Sequence, residues 1–311
     1  MALLMRRAVL LAKTETTYGV DSTPTGAANA ILCRNMSITP ISQDLVQRDV
    51  IRPFLGNDEN IVAANHVECD FEIEMAGAGA AGTVPAYGPL LLACGFSATT
   101  QATTSVTYTP VSTAFSSVTL IYNVDGVSHK ITGARGSVSL EMNAKGIPVC
   151  KFKFSGLYNA VTDTAITGAT YAAFIKPVAV NKDNTTMATL FGTSLILQSA
   201  NIDIANTIVY RNLVGLESVL LTDRAPVGSL QFEETTVAAF DVWSHIKNGT
   251  TGALSLTHGT TAGNIVQISC PSVQITQPQL SDMDGISMLQ VSTLMLPSAA
   301  GGNDEVSIIV R

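Results

Sequence analysis

Apolar and polar side chains alternate without a break from Val67 to Met75, the most regular pattern in the chain. Alternate residues of a β-strand point to opposite faces, so Val67, Cys69, Phe71, Ile73 and Met75 are predicted to pack on a core. Glu68, Asp70, Glu72 and Glu74 then share the other face. Four like charges on one face repel one another, and two readings stay open: pairing with cations on a neighbouring strand, or a surface meant to be negative. The cations at hand are Lys151 and Lys153, which alternate with Cys150, Phe152 and Phe154.

The same period recurs on either side. Ile31, Leu32, Met36 and Ile38 predict a strand ending near Pro40. Val118, Leu120 and Tyr122, an Asp125-Gly126 turn, then Val127, His129 and Ile131 predict a hairpin. A second hairpin follows, with Val138, Leu140 and Met142 on one arm, Asn143 to Gly146 as its turn, and Cys150, Phe152 and Phe154 on the other. Pro85 to Cys94 reads as a short apolar helix stopped by Gly95. Residues 13–30 carry Tyr18-Gly19 and Pro24-Thr25-Gly26 without a sustained apolar period, and with the residues before them are read as an extended N-terminal arm at 1–30. Gln43 to Asn65 is read as a long charged connection, and its apolar Val50, Ile51, Phe54 and Leu55 make it a docking loop. Residues 159–190 form a Thr- and Ala-rich connection with room for one more strand at Tyr171 to Val180.

The second half repeats this order. Met36-Ser37-Ile38 is echoed by Ile202-Asp203-Ile204, Leu45 to Asp49 by Ile208 to Asn212, and Asp70-Phe71-Glu72 by Gln231-Phe232-Glu233. A helix is predicted again at Ala239 to Asn248, and a hairpin at Val273 to Val291 around Asp284-Gly285. The separation between corresponding residues shortens steadily along the chain, as expected of a duplication with a more compact second copy. The resulting division is an arm at 1–30, a first domain at 31–158, a connection at 159–192 and a second domain at 193–311.

Composition narrows the function classes. Charged residues make up 13% of the chain and the net charge is −7, so there is no cationic surface to grip nucleic acid by its phosphates. So few charges also imply that partners cover much of the uncharged surface. Five widely spaced cysteines encode neither a disulfide framework nor a metal knuckle. Gly77 to Gly82 matches GxGxxG in form, but no acid occurs between Glu74 and Asp125 to meet a ribose, so it is read as a small-residue turn. His66, His129, His245 and His258 lack metal-ligand spacing. Asp282-Met283-Asp284-Gly285 reads as a hairpin turn, since it lacks the remaining carboxylates of a calcium loop. No catalytic, cofactor-binding or metal-binding residues are assigned. The short apolar run Ala8 to Ala12 and the absence of a longer one predict a soluble chain made in a cytoplasm, without membrane contact.

Each half has the order strand, long loop, acidic strand, short helix, hairpin, hairpin. With Ala12-Lys13-Thr14-Glu15-Thr16-Thr17-Tyr18-Gly19, Pro24 to Ile31, and Pro85-Ala86-Tyr87-Gly88-Pro89-Leu90-Leu91-Leu92-Ala93-Cys94-Gly95, the chain resembles the major tail tube proteins of long-tailed bacteriophages, in their two-copy form. The resemblance implies a mainly β fold of two tandem β-sandwich domains, each with a short flanking helix, whose strands join neighbours in a ring-shaped inner β-barrel. It implies a homotrimer with pseudo-six-fold symmetry, stacked into a virion tail tube that is assembled in the bacterial cytoplasm. Its lumen would hold the tape-measure protein and then DNA, and its ends would meet tail tip and terminator proteins. On this view Glu68, Asp70, Glu72, Glu74 and Glu233 are the candidates for the lumen face. Arg48, Val50, Ile51, Arg52, Phe54, Leu55, Asp58, Glu59 and Tyr18 are the candidates for ring-to-ring contact. The alternative is a β-rich phage adhesin or capsid decoration protein, which would not stack.

Overall fold

The computed structural model describes residues 2–166 and 168–311. In chain order the first half holds β1 (Ala8–Thr14), α1 (Gly26–Asn29), β2 (Ala30–Ile31), β3 (Arg34–Gln47), β4 (Asn60–Glu74) and α2 (Gly88–Ala93). It continues with β5 (Phe96–Gln101), β6 (Ser105–Pro110), β7 (Val118–Val124), β8 (Val127–Asn143) and β9 (Val149–Tyr158). After β10 (Thr162–Asp163) come β11 (Thr185–Leu190), β12 (Thr193–Ser194), β13 (Leu197–Asp203), β14 (Asn206–Leu213), β15 (Leu216–Arg224) and β16 (Val227–Glu233). The chain closes with α3 (Val242–Asn248), β17 (Thr251–His258), β18 (Val266–Met283), β19 (Ile286–Met295) and β20 (Ser307–Val310).

The fold is mainly β, and its backbone is one large antiparallel run of strands. β3 pairs β4, β4 pairs β9 and β9 pairs β8. β8 then takes β13 on its far edge, and β13, β16, β19 and β18 follow in the same pattern. The two halves therefore share an unbroken sheet. Each also folds a second layer over it, β7–β1–β2 in the first half and β17–β11–β12 in the second. The hairpin β5–β6 joins the halves a second time, because β6 pairs β20 and β20 pairs β18.

The inward set of β4 behaves as its alternation requires: Val67, Cys69, Phe71, Ile73 and Met75 are all buried. Phe71 lies 5.6 Å from Phe152 and 5.9 Å from Phe154, centroid to centroid, and each such side chain contributes about 1.5–3 kcal/mol by leaving water. The turns follow their residues. Asp125 and Gly126 both have positive φ, as do Asp284 and Gly285, which is the requirement of a two-residue hairpin whose twist matches its strands. Gly249 ends α3 in the left-handed conformation, and Asp241 caps its start by accepting from the Ser244 amide.

The structure corrects four readings. Ala8–Thr14 is not part of an extended arm: it is a strand paired with β7 along its whole length. Leu10 and Ala12 face the main core while Val9 and Leu11 face a smaller cluster, so burial on both sides removes the alternation that would announce it. β3 does not end at Pro40, because that residue sits at an irregularity between Thr39 and Ser42 where the ladder is already interrupted. Gln43 to Gln47 and Asn60 to Asn65 consequently extend a long hairpin, and only residues 48–59 form its loop. Tyr171 to Val180 holds no strand; the strand of that region is β11, further on, and it pairs with the second half.

Candidate functional site

The polar face of the first half is built by β4, β9 and β8. Asp70 stands opposite Lys153 and Glu72 opposite Lys151. The ion pairs take a different pattern from this register. Lys151 Nζ lies 2.7 Å from Glu141 on β8, and Arg34 Nε lies 2.9 Å from Glu72 and its Nη1 4.0 Å from Glu74. His66 Nε2 is 3.4 Å from Glu68. Asp70 is exposed and has no ion-pair partner among the described residues. The face is thus a mosaic in which some acids are paired and others are free. A cleft runs along it between Asn35, Asp70, Glu72, Lys151, Lys153 and Asp203.

Glu233 occupies the matching strand of the second half, opposite Met288 on β19. Its surroundings are different. Ile196, Met283, Ile286 and Met288 line the hollow beside it, and the neighbouring outward residues Ser229 and Gln231 are neutral. Strong acidity belongs to one half.

The far end of the polar face is covered. At Ala205 (φ 50) the chain kinks out of β13, held by Asp203, which accepts from the Ala205 amide at 2.8 Å. Asn206 Nδ2 fixes the bend by donating to the carbonyls of Cys94 and Gly136 at 2.7 and 3.0 Å. β14 and β15 then cross β8 and β9 as a separate two-stranded arm. Tyr210 stacks on His66 at 4.6 Å and donates to the Asn65 carbonyl. Arg135 donates to the Val219 carbonyl and stands 4.7 Å above the Tyr18 ring, whose oxygen accepts from the Val219 amide. Arg224 Nη2 and Glu305, both nearly buried, pair at 3.2 Å at the base of the arm.

Tyr18 is therefore occupied within its own chain and does not group with the other contact candidates. Burial raises its hydroxyl pKa and lowers that of the Arg135 guanidinium. Its loop is anchored by Glu15, a buried carboxylate that accepts from the amides of Gly19 and Gly133 and the hydroxyls of Ser117 and Thr119. Neither Glu15 nor Arg135 stood out in the sequence, because a lone acid or cation among Thr, Ser and Gly gives no periodic signal.

The remaining contact candidates come together in the loop at residues 48–59. Arg48 pairs Glu59 at 3.0 Å, Arg52 pairs Asp58, and the Arg52 guanidinium sits 5.8 Å from the Phe54 ring centre. These pairs close the loop on itself and leave Ile51 and Leu55 fully exposed, with Phe54 largely and Val50 partly so. Such a display suits a surface that another protein covers.

The glycine run after β4 is a contact between halves. The Gly77 amide donates to Asn264 Oδ1 at 2.9 Å and the Gly79 amide to the Gly263 carbonyl at 2.8 Å. A Cβ on Gly77 would collide with the Gly263 backbone, which is the reason for a glycine there. The five cysteines are free thiols, and burial pushes Cys33 up to about 11 and Cys150 and Cys270 up to about 12, far from a reactive thiolate. Among the described residues no group of three or more His, Cys, Asp or Glu is placed to hold a metal, and no helix is long and apolar enough to cross a membrane.

A large sheet, an apolar loop held out by its own ion pairs and a polar face are surfaces that other molecules can cover. A family profile described as phage tail tube protein matches residues 5–295, and the chain belongs to that family. No curated protein matches it.

Proposed function

We propose that three copies of this chain close into a ring with pseudo-six-fold symmetry, and that the rings stack into the tube of the phage tail. The observation that carries this reading is the pair of open sheet edges. Inside the chain, β8 and β13 join the halves, with Leu140 opposite Ile202 and both buried. In the second half Leu280 stands opposite Leu289 on β19, as Leu140 stands opposite Cys150 on β9. Among the described residues no strand pairs its other side, and Leu280 is 59% exposed. β3 likewise has β4 on one side and, among the described residues, no strand paired on the other. A ring in which β3 of each copy pairs the outer half of β18 in the next would repeat the internal junction and remove both edges. Four strands from each half of three copies make roughly 24, which at a spacing of about 4.8 Å and a tilt near 40° close at a diameter of roughly 45–50 Å.

The polar face then lines the lumen. Glu68, Asp70, Glu72 and Glu74, with Glu233 in the second half, bias it against phosphate, while Arg34, Lys151 and Lys153 temper that bias. The tape-measure protein and DNA would occupy the bore, and tail tip and terminator proteins the tube's ends. Assembly takes place in the host cytoplasm, and no catalytic step is involved. The loop at residues 48–59, with Arg48, Val50, Ile51, Arg52, Phe54, Leu55, Asp58 and Glu59, is the ring-to-ring contact.

Negative-stain electron microscopy across a concentration series tests the proposal. Hollow rings or stacked tubes with three-fold or pseudo-six-fold end views are expected. Compact particles that neither close nor stack at any concentration, with or without a tail-tip initiator, would instead favour the adhesin or decoration reading.

A further inference from the structure

The two long hairpins of the chain end in arms that are treated differently. β14–β15 is docked on the first half of its own chain. Leu221 Cδ1 and Phe115 lie beside Gly95, where a Cβ would otherwise sit, and Tyr210 stacks on His66. The outer part of β3–β4 is its counterpart, yet Leu45 and Val62, which face each other across it, remain 51% and 46% exposed.

A shared irregularity sets the correspondence. In the first arm the register shifts between Asp44, opposite Ala64, and Leu45, opposite Val62. In the second it shifts between Thr207, opposite Asp223, and Ile208, opposite Leu221. A β-bulge fixes register locally, so the pair Leu45–Val62 matches Ile208–Leu221, and Gln47 matches Tyr210.

The ground on which β14–β15 rests also has a counterpart, and it is bare. Gly249 closes α3 as Gly95 closes α2, but among the described residues the space beside it holds only the end of the Gln274 side chain. Val227 opposite Leu294 takes the place of His66 opposite Leu157. These two apolar residues are 39% and 38% exposed.

We propose that the β3–β4 arm of one copy lies across the second half of the neighbouring copy. Leu45 and Val62 would cover the ground around Gly249, and Gln47 would rest over Val227 and Leu294. The internal docking of β14–β15 is the template, and a second copy of this chain is the occupant. An exposed apolar arm and exposed apolar residues at the corresponding ground positions, Val227 and Leu294, are left over on the same molecule, which is the arrangement a closed ring consumes. The inference rests on the ring reading and adds a lateral clasp to the joined sheet edges.

The test uses the full chain with Gln47→Cys and Val227→Cys together, treated with a short bis-maleimide after assembly. A covalent ladder ending at three chains is expected in denaturing electrophoresis, and neither single variant should give it. In parallel, Val62→Asp and Val227→Asp, both at exposed positions, should each raise the concentration at which rings appear at least tenfold while leaving the melting temperature of the unassembled chain unchanged. Rings of normal diameter that give no ladder, or a link formed only within one chain, would overturn the docking and leave the ring reading intact. If the unmodified chain forms no rings, both fall.

Discussion

His258 is the side chain whose chemistry most directly ties stability to pH. It is buried at the end of β17, with Nε2 3.1 Å from the Val178 carbonyl and Nδ1 3.1 Å from the Thr185 hydroxyl. A carbonyl only accepts, so Nε2 carries a proton, and in the neutral ring Nδ1 accepts from the hydroxyl. Burial lowers its pKa below the ordinary histidine value, and the Val178 carbonyl opposes this only in part. The unfolded chain therefore takes up the proton first as pH falls. The stabilisation is complete above about pH 6.5 and is lost as pH drops through the unfolded value. The melting temperature of the unassembled chain should fall between pH 7 and pH 5, and His258→Asn should show a shallower fall over that interval. Equal slopes for the two proteins would show that the ring is not held neutral.

At the scale of elements, the loop at residues 48–59 separates two kinds of assembly. Its Arg48–Glu59 pair is exposed, and a pair of that kind contributes about 0–1 kcal/mol, while the more buried Arg52–Asp58 pair closes the loop on itself, so the loop has little to do with the packing of the rest of its chain. Deleting Arg52 to Glu59 should leave the melting temperature within a few degrees and still allow single rings, but should abolish stacking, as read by sedimentation and electron microscopy. Tubes of unchanged length would remove the loop from the ring-to-ring contact. The elements themselves were unevenly legible in the sequence. Where one side of a strand meets the core and the other meets water, as in Val67 to Met75, alternation gives the strand away. The Asp-Gly turns were legible because only a few residues accept their backbone angles. β1 was hidden by burial on both faces, and β5 by small and polar residues on both, with Ala98, Thr99, Thr100 and Gln101 all exposed. The outer parts of β3 and β4 were hidden because Leu45, Val46, Ile61 and Val62 are exposed in the isolated chain, so their apolar character answers to no core within it. The acidic candidates were legible as one face. Their cations were only partly so: Lys151 and Lys153 could be read from the strand, whereas Arg34, and Glu141 as the acid that takes Lys151, enter through register that alternation does not determine.

For the whole molecule, the two halves share an architecture but not a charge. Glu68, Asp70, Glu72 and Glu74 lie on one half, and the matching positions Ser229, Gln231 and Glu233 on the other are mostly neutral. A ring of three copies would then present three acidic sectors alternating with three nearly neutral ones, so DNA would meet repulsion without a continuous charged wall. Glu68 and Glu74 are the acids to change, because their side chains are 46% and 37% exposed and their ion pairs are long, at 3.4 and 4.0 Å. Glu68→Lys with Glu74→Lys should leave ring closure and tail length unchanged, since neither side chain packs in the core. Each sector would then carry cations facing phosphate, and phosphate contacts by Lys release counterions and so weaken steeply as salt rises. Ejection measured on whole phage should slow severalfold at low ionic strength and return toward the unmodified rate in high salt, where charges beyond about 10 Å are screened. Salt is the discriminating variable: a tube narrowed or distorted by the substitutions would slow DNA at every ionic strength, and ejection unchanged at low salt would mean that this face does not line the path of the DNA.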